Sequence, residues 1–287
     1  MLKQRVLTAI VLLVVLLAAL LAPTPWPLAV LLTLMAACAL WEWLRLTQRT
    51  GSHLPAGVAA ITGIVMLCFV TGWLSQPASP WTWTLLLALN DWAIPCMALA
   101  WVLGATTLVV QGQATHAAHG RLLSLFGLLA VVAAWAALLQ LFRIHGAWFL
   151  VTLLALIWFA DIAAYFTGRA FGRRKLAPRV SPGKTWEGAI GGVAAATLWV
   201  SLTMMWPGSF GHELAQHWPA WSVPCLAALL AALSIVGDLF ESLLKRRAGV
   251  KDSSQLLPGH GGVYDRIDAL LPVAPVAFML ITGHSMS

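Results

Sequence analysis

Residues Ser242 to Asp268, SLLKRRAGVKDSSQLLPGHGGVYDRID, form a polar, glycine-punctuated segment with apolar sequence on both sides. The segment holds five of the chain's 17 Lys and Arg (Lys245, Arg246, Arg247, Lys251, Arg266) and three of its ten Asp and Glu (Asp252, Asp265, Asp268). The rest of the chain is different in kind: 60% of the 287 residues are hydrophobic and 9% charged, with mean hydropathy +0.85. An ordinary soluble domain carries about 25% charged residues, so this composition excludes one and marks an integral membrane protein. Apolar runs of ~20 residues suit helices that satisfy their own backbone hydrogen bonds in lipid, and the alternating ten-residue strands of a membrane barrel are absent. The expected fold is therefore all-α and polytopic.

Outward from that segment, apolar stretches predict nine spans, near 6–22, 28–46, 55–74, 82–110, 122–142, 147–168, 188–206, 222–243 and 269–284. Lys3 and Arg5 precede the first, and Pro23, followed at once by a second span, favours an anchor over a cleaved signal peptide. The fourth contains Asn90, Asp91 and Pro95, which predicts a short interfacial piece followed by a span. With the N-terminus cytoplasmic, nine spans put every Lys and Arg except Arg143 on the inner side, as the positive-inside rule requires. The 16 Trp fit interfacial belts and packing, and Cys38, Cys68, Cys96 and Cys225 sit singly in apolar stretches as small hydrophobes, with no metal or disulfide spacing. No internal repeat is visible. One integral membrane domain is expected, with 1–120 as N-terminal transmembrane helices and 121–287 as C-terminal helices carrying a cytoplasmic-side site.

Two inner loops, 169–187 and 241–268, concentrate the polar chemistry. Asp161 and Asp238 lie near the inner ends of the spans before them, where an ionisable group costs ~2.5–3.5 kcal/mol and is normally paired, hydrated or functional. Asp238, Glu241, Ser242 and Lys245 fall at i, i+3, i+4 and i+7 and share a helix face. Asp265 and Asp268 repeat the i, i+3 spacing after the turn Pro258-Gly259-His260-Gly261-Gly262, whose glycines permit close backbone approach to a ligand. Carboxylates from two elements suit a hard cation with oxygen ligands. Ringed by Lys245, Arg246, Arg247, Lys251 and Arg266, such a cation makes a site for polyphosphate. Ser181-Pro182-Gly183-Lys184-Thr185 adds a second basic turn with Lys184 as a phosphate ligand. It is not a P-loop, because Pro178 stands where the first glycine belongs and no strand precedes it. His260, between glycines and beside Asp265, is the one histidine placed in the site; the other seven show no ligand spacing.

The segment resembles the signature of the phosphatidate cytidylyltransferases, the CDP-diacylglycerol synthases. Ser242, Leu244, Lys245, Arg246, Lys251, Asp252, Ser254, Leu257, Pro258, His260, Gly261, Gly262, Val263, Asp265, Arg266, Ile267 and Asp268 meet every constrained position. Upstream, Ala160-Asp161, Ala164-Tyr165, Gly168, Phe171-Gly172, Lys175, the run Ser181 to Gly188 and Gly237-Asp238 are also similar to the family pattern. The first 120 residues match mainly in hydropathy and in Trp41-Glu42-Trp43. The chain departs from the pattern at Ile162 and Ala163, where a hydroxyl and a small residue are usual, and at Ala269, where Ser is common.

The resemblance implies a bacterial inner-membrane, multi-pass enzyme, active site facing the cytoplasm, that transfers CMP from CTP to phosphatidic acid. It implies Mg²⁺ held by Asp238 and Asp265 with Asp161 and Asp268 nearby, and a second cation such as K⁺. Lys184, Lys245, Arg246 and Lys251 would grip phosphates and Arg266 would stabilise pyrophosphate charge. Asp252 would orient these groups, His260 would act in the turn, and Ser181, Gly261 and Gly262 would contact the nucleotide. Membrane lipids and a second copy of the chain, as a homodimer, are the expected partners, with no nucleic acid. Two other classes stay open: a CTP-dependent nucleotidyltransferase acting on another lipid phosphate, and an ion or solute transporter, which would instead place ionisable groups near mid-span within inverted repeats.

Overall fold

The computed structural model describes residues 2–48, 53–75, 79–112, 120–259 and 261–283. The helices α1 (Leu2–Leu20), α2 (Trp26–Thr47) and α3 (Leu54–Leu74) come first. A helical run over Pro80–Gln111 follows, made of α4 (Pro80–Ala88), α5 (Ile94–Leu99) and α6 (Thr106–Gln111) joined through π turns at Leu89–Ala93 and Ala100–Ala105. Next come α7 (Arg121–Phe171), a hairpin of β1 (Lys175–Ala177) and β2 (Ser181–Thr185), and α8 (Trp186–Thr203). The chain ends with α9 (Phe210–His217), α10 (Val223–Arg247), α11 (Tyr264–Ile267) and α12 (Leu270–Thr282). Among the described residues, five segments are long and apolar enough to cross a membrane: α2, α3, the Pro80–Gln111 run, α7 and α10. The all-α expectation holds apart from the small hairpin.

A straight helix of 51 residues would span about 75 Å, more than twice the ~30 Å hydrocarbon core. Gly146, at φ 83° and ψ −173°, breaks α7 with a backbone conformation that a side chain would oppose. Val131 and Leu154 line one cavity, whereas a continuous helix would hold them about 35 Å apart. The two limbs therefore fold back on each other, and they correspond to the apolar stretches 122–142 and 147–168.

In the fourth apolar stretch the helical run is continuous from Pro80 to Gln111. Pro95 has no N–H for the carbonyl four residues back, and the π turn at Leu89–Ala93 absorbs that defect, so the helical run continues. Asn90 is satisfied inside it by reciprocal amide bonds: Asn90 Nδ2 donates to Gln140 Oε1 at 3.0 Å and Gln140 Nε2 returns one to Asn90 Oδ1 at 2.9 Å.

An aromatic cluster joins both halves of the chain. The fully buried Trp43 stacks on Phe240 (centroids 5.5 Å apart, planes at 27°) and lies 5.1 Å from the Tyr264 ring and 6.4 Å from Trp101. Its indole N–H donates to Leu123 O at 2.9 Å. Next to it on α2 comes Glu42, so the floor of the polar segment is continuous with this core. On the other side, α8 approaches α7 so closely that a Cβ on Gly188 would meet Ala164 O at 2.9 Å and one on Gly192 would meet Ala160 O at 2.6 Å.

Candidate active site

Thr185 caps α8, its hydroxyl accepting from Gly188 N at 3.1 Å, and thereby fixes where the β1–β2 hairpin leaves the helix. The Glu187 carboxylate accepts from Arg173 N and Arg174 N, and Trp186 N donates to Arg174 O, closing the hairpin's base. Lys184, on β2, is thus held over a cleft of about 390 Å³ lined by Asp161, Tyr165, Arg169, Gly183, Lys184 and Asp238, among others. Lys184 Nζ lies 2.5 Å from Asp238 Oδ2. Three residues from separate parts of the sequence expectation, Asp161, Lys184 and Asp238, therefore share one space.

Beneath Lys184, α10 carries Asp238, Glu241 and Lys245 on one face, as their spacing predicted. Carboxylate oxygens of Asp238, Glu241 and Asp268 lie within 4.8 Å of one another. Glu241 is buried; its Oε2 is paired with Lys245 Nζ at 2.7 Å, while its Oε1 has no partner. A buried carboxylate oxygen left bare costs ~1–3 kcal/mol or more, and three hard oxygen donors with one still vacant fit a divalent cation in type and number.

Asp265 faces Lys245 and the glycine turn. Its Oδ1 accepts from Lys245 Nζ at 2.7 Å, and its Oδ2 accepts from Gly262 N at 2.7 Å and lies within reach of Ser253 N at 3.2 Å and Ser253 Oγ at 3.0 Å. Burial works against charge on Asp265, but hydrogen bonds from Lys245 and the Gly262 N–H hold its carboxyl well below the usual carboxylate range. Lys245 thus bridges the acid cluster on α10 and the turn that leads into α11. Gly261, at φ 83°, makes that turn possible, and Gly262 has no room for a side chain between Ser253 and Glu42.

Other expected residues stand around this centre. Arg246 is exposed, its Nε donating to Val180 O at 3.3 Å, so the end of α10 is tied to the hairpin. Lys251 and Asp252 are exposed on the turn, Ser181 is half-buried at the start of β2, and Arg266 is exposed at one edge of an otherwise apolar cavity of about 140 Å³. His260 lies outside the described residues.

Two residues were not in the expected set. Glu241 shares the face of Asp238 in the sequence pattern, outside the expected cation ligands. Glu42, wholly buried on α2, accepts from Ser253 Oγ at 2.9 Å, Ser254 Oγ at 2.5 Å, Val263 N at 3.0 Å and Tyr264 N at 2.6 Å. A single acid within an apolar run was the available signal, and its partners lie more than 200 positions away.

Comparison with known proteins matches residues 3–283 to the Cytidylyltransferase family. The chain is 36% identical over 285 residues to a phosphatidate cytidylyltransferase of Haemophilus influenzae, covering 96% of each chain. It is 38% identical over 285 residues to one from Pseudomonas aeruginosa, covering 98% of this chain and 97% of the relative. It is 42% identical over 142 residues to one from Thermotoga maritima, covering 50% and 52% of the two chains.

Proposed function

As the chain belongs to the cytidylyltransferase family, we propose that it transfers CMP from CTP to phosphatidic acid, releasing pyrophosphate and leaving CDP-diacylglycerol in the membrane. The observation that carries this reading is the cleft in which Lys184 and Asp238 meet beside the Asp238–Glu241–Asp268 acids, at the ends of membrane-length helices. A lipid phosphate oxygen attacks the α-phosphorus of CTP, the bond to the β-phosphate oxygen breaks, and pyrophosphate departs. No protein nucleophile is required. Both reactants are anions, so the residues' task is to neutralise charge and hold the reacting atoms in line.

Asp238, Glu241 and Asp268 would hold Mg²⁺, with Asp161 close enough to share a second cation such as K⁺. A bound Mg²⁺ would offset charge on the transferring phosphoryl group and orient it. Lys184 exchanges its carboxylate for a phosphate oxygen, and Arg169 in the same cleft adds a second positive charge. Lys245 keeps Glu241 and Asp265 at fixed separation. Arg246, Lys251 and Arg266 would serve as further phosphate contacts, Asp252 would orient them, and Ser181, Gly261, Gly262 and His260 would contact the nucleotide.

The same reading has nine spans, a cytoplasmic N-terminus and a site opening to the cytoplasm from the bacterial inner membrane, where soluble CTP and a lipid headgroup meet. The distribution of Lys and Arg supports that orientation. A homodimer belongs to this reading and rests on family resemblance alone. Purified protein given labelled CTP with either phosphatidic acid or an isoprenoid-glycerol phosphate tests the substrate. Labelled CDP-diacylglycerol formed in the first mixture alone is the expected result; label transferred only to the isoprenoid lipid would overturn it.

A further inference from the structure

Glu42 is a fully buried acid that faces only donors from the far end of the chain. Its four bonds go in two pairs. Ser253 and Ser254 open the Pro258–Gly262 turn and Val263 and Tyr264 close it, so one carboxylate on α2 holds both ends. No salt bridge to Glu42 exists among the described residues, and an unpaired buried charge persists only when its hydrogen-bonding capacity is filled, as it is here. Gly262 is packed so tightly against both Ser253 and Glu42 that a Cβ has no room.

Ser253 links this clamp to the site. Its single hydroxyl proton lies between Glu42 Oε2 at 2.9 Å and Asp265 Oδ2 at 3.0 Å. Asp265 in turn shares Lys245 with Glu241, at 2.7 Å from each. If the turn drifts, Asp265 leaves Lys245, and that ammonium is drawn wholly onto Glu241, the acid whose second oxygen is bare. The clamp thus governs whether Glu241 is shared with Lys245 or dominated by it.

We propose that Glu42 is a positioning residue that acts through Ser253 and Asp265 to keep Lys245 divided and the Asp238–Glu241–Asp268 acids competent for a divalent cation. The inference rests on the cation reading given above, and its test separates the two. Mn²⁺ binding to detergent-solubilised full chain, followed by its paramagnetic resonance, reads the site without substrates. Tryptic cleavage at Lys251 reads the turn without a metal. Glu42→Gln keeps size but turns an amide toward the Val263 and Tyr264 N–H groups. The variant is expected to weaken Mn²⁺ binding ~tenfold, the range found for residues that orient metal ligands. It is also expected to speed cleavage at Lys251 and to leave KM for CTP near the wild-type value. Ser253→Ala should weaken Mn²⁺ in the same direction, and the double variant should fall short of the sum of the two single effects, since both converge on Asp265.

Ser254→Ala removes one bond of the four and reports in the same direction if Glu42→Gln does not accumulate. Unchanged Mn²⁺ affinity and unchanged cleavage in folded Glu42→Gln, or in Ser254→Ala where that is the variant obtained, overturns the proposal. Strictly additive effects of Glu42→Gln and Ser253→Ala also overturn it. Wild-type protein that binds no Mn²⁺ sinks the cation reading instead, and cleavage at Lys251 then decides the clamp alone.

Discussion

Lys184 Nζ stands 2.5 Å from Asp238 Oδ2, an ion pair that closes the cleft between the β1–β2 hairpin and α10. The two side chains remain 27% and 36% exposed, and pairs of that kind contribute ~0–1 kcal/mol to stability. The pair is therefore cheap to exchange, and in the proposed reaction Lys184 would pass to a phosphate and Asp238 to a cation. Lys184→Ala should leave the thermal midpoint nearly unchanged while lowering kcat/KM on the order of 100-fold, about 2.7 kcal/mol of lost transition-state stabilisation. A variant that unfolds early, or that keeps full turnover, contradicts this role. Asp238→Asn should insert normally and lose Mg²⁺-dependent turnover.

Gly237 sets the distance between the two elements that bear the acids. A Cβ there would run into Asp268 O and come within 3.0 Å of both Ala269 Cα and Pro272 Cγ. Gly237→Ala must push Asp268 away from α10, since backbone is what it meets. Overpacking of this kind costs ~1–3 kcal/mol, and the Mg²⁺ concentration for half-maximal activity should rise by about tenfold. A Mg²⁺ titration of the variant in detergent measures it.

The pattern of apolar runs made the helices legible, because in lipid the backbone leaves few alternatives. The i, i+3 and i+7 spacing alone puts Asp238, Glu241 and Lys245 on one face, and the glycines of the turn announce a close approach. What the spacing did not reveal was phase. Asp265 and Asp268 have the same spacing in the sequence, and only the direction in which α11 leaves the Glu42 clamp brings an oxygen of Asp268 near Asp238 and Glu241 while Asp265 faces Lys245. Glu42 itself was hidden for a similar reason, since a polar residue in an apolar run declares that it has partners without saying where they are. Asn90 was hidden likewise, its partner Gln140 lying on another helix.

The Asp265 carboxyl titrates lower in the folded protein than its ordinary value of 3.8. Its interactions therefore stabilise the fold fully above that value, and the contribution is lost as pH falls below it toward the depressed folded value. Asp265→Asn leaves Lys245 with one partner and should cost on the order of 3 kcal/mol at neutral pH. The gap between wild-type and variant thermal midpoints should accordingly be widest above pH ~5 and narrow steadily below pH ~4. Melting curves of both proteins across that range check it, and a gap that widens in acid would contradict the assignment.

Glu241 offers the sharpest separation between structure and cation binding. Its Oε1 is buried and bare while Oε2 meets Lys245, so without a cation the oxygen is a local cost to the fold. Divalent cation at 100 times its Kd should raise wild-type stability by about 2.7 kcal/mol, since only the folded chain gathers the three acids. Glu241→Gln removes the charge but keeps the shape, and Lys245 retains Asp265. In metal-free buffer the variant should therefore melt within a few degrees of wild type, yet gain no stability from Mg²⁺ and show ~10–100-fold lower turnover. Thermal melts with and without Mg²⁺ decide the matter directly. A Mg²⁺-dependent rise in the variant equal to that of wild type would remove Glu241 from the cation site and return the role to Asp161 or Asp265.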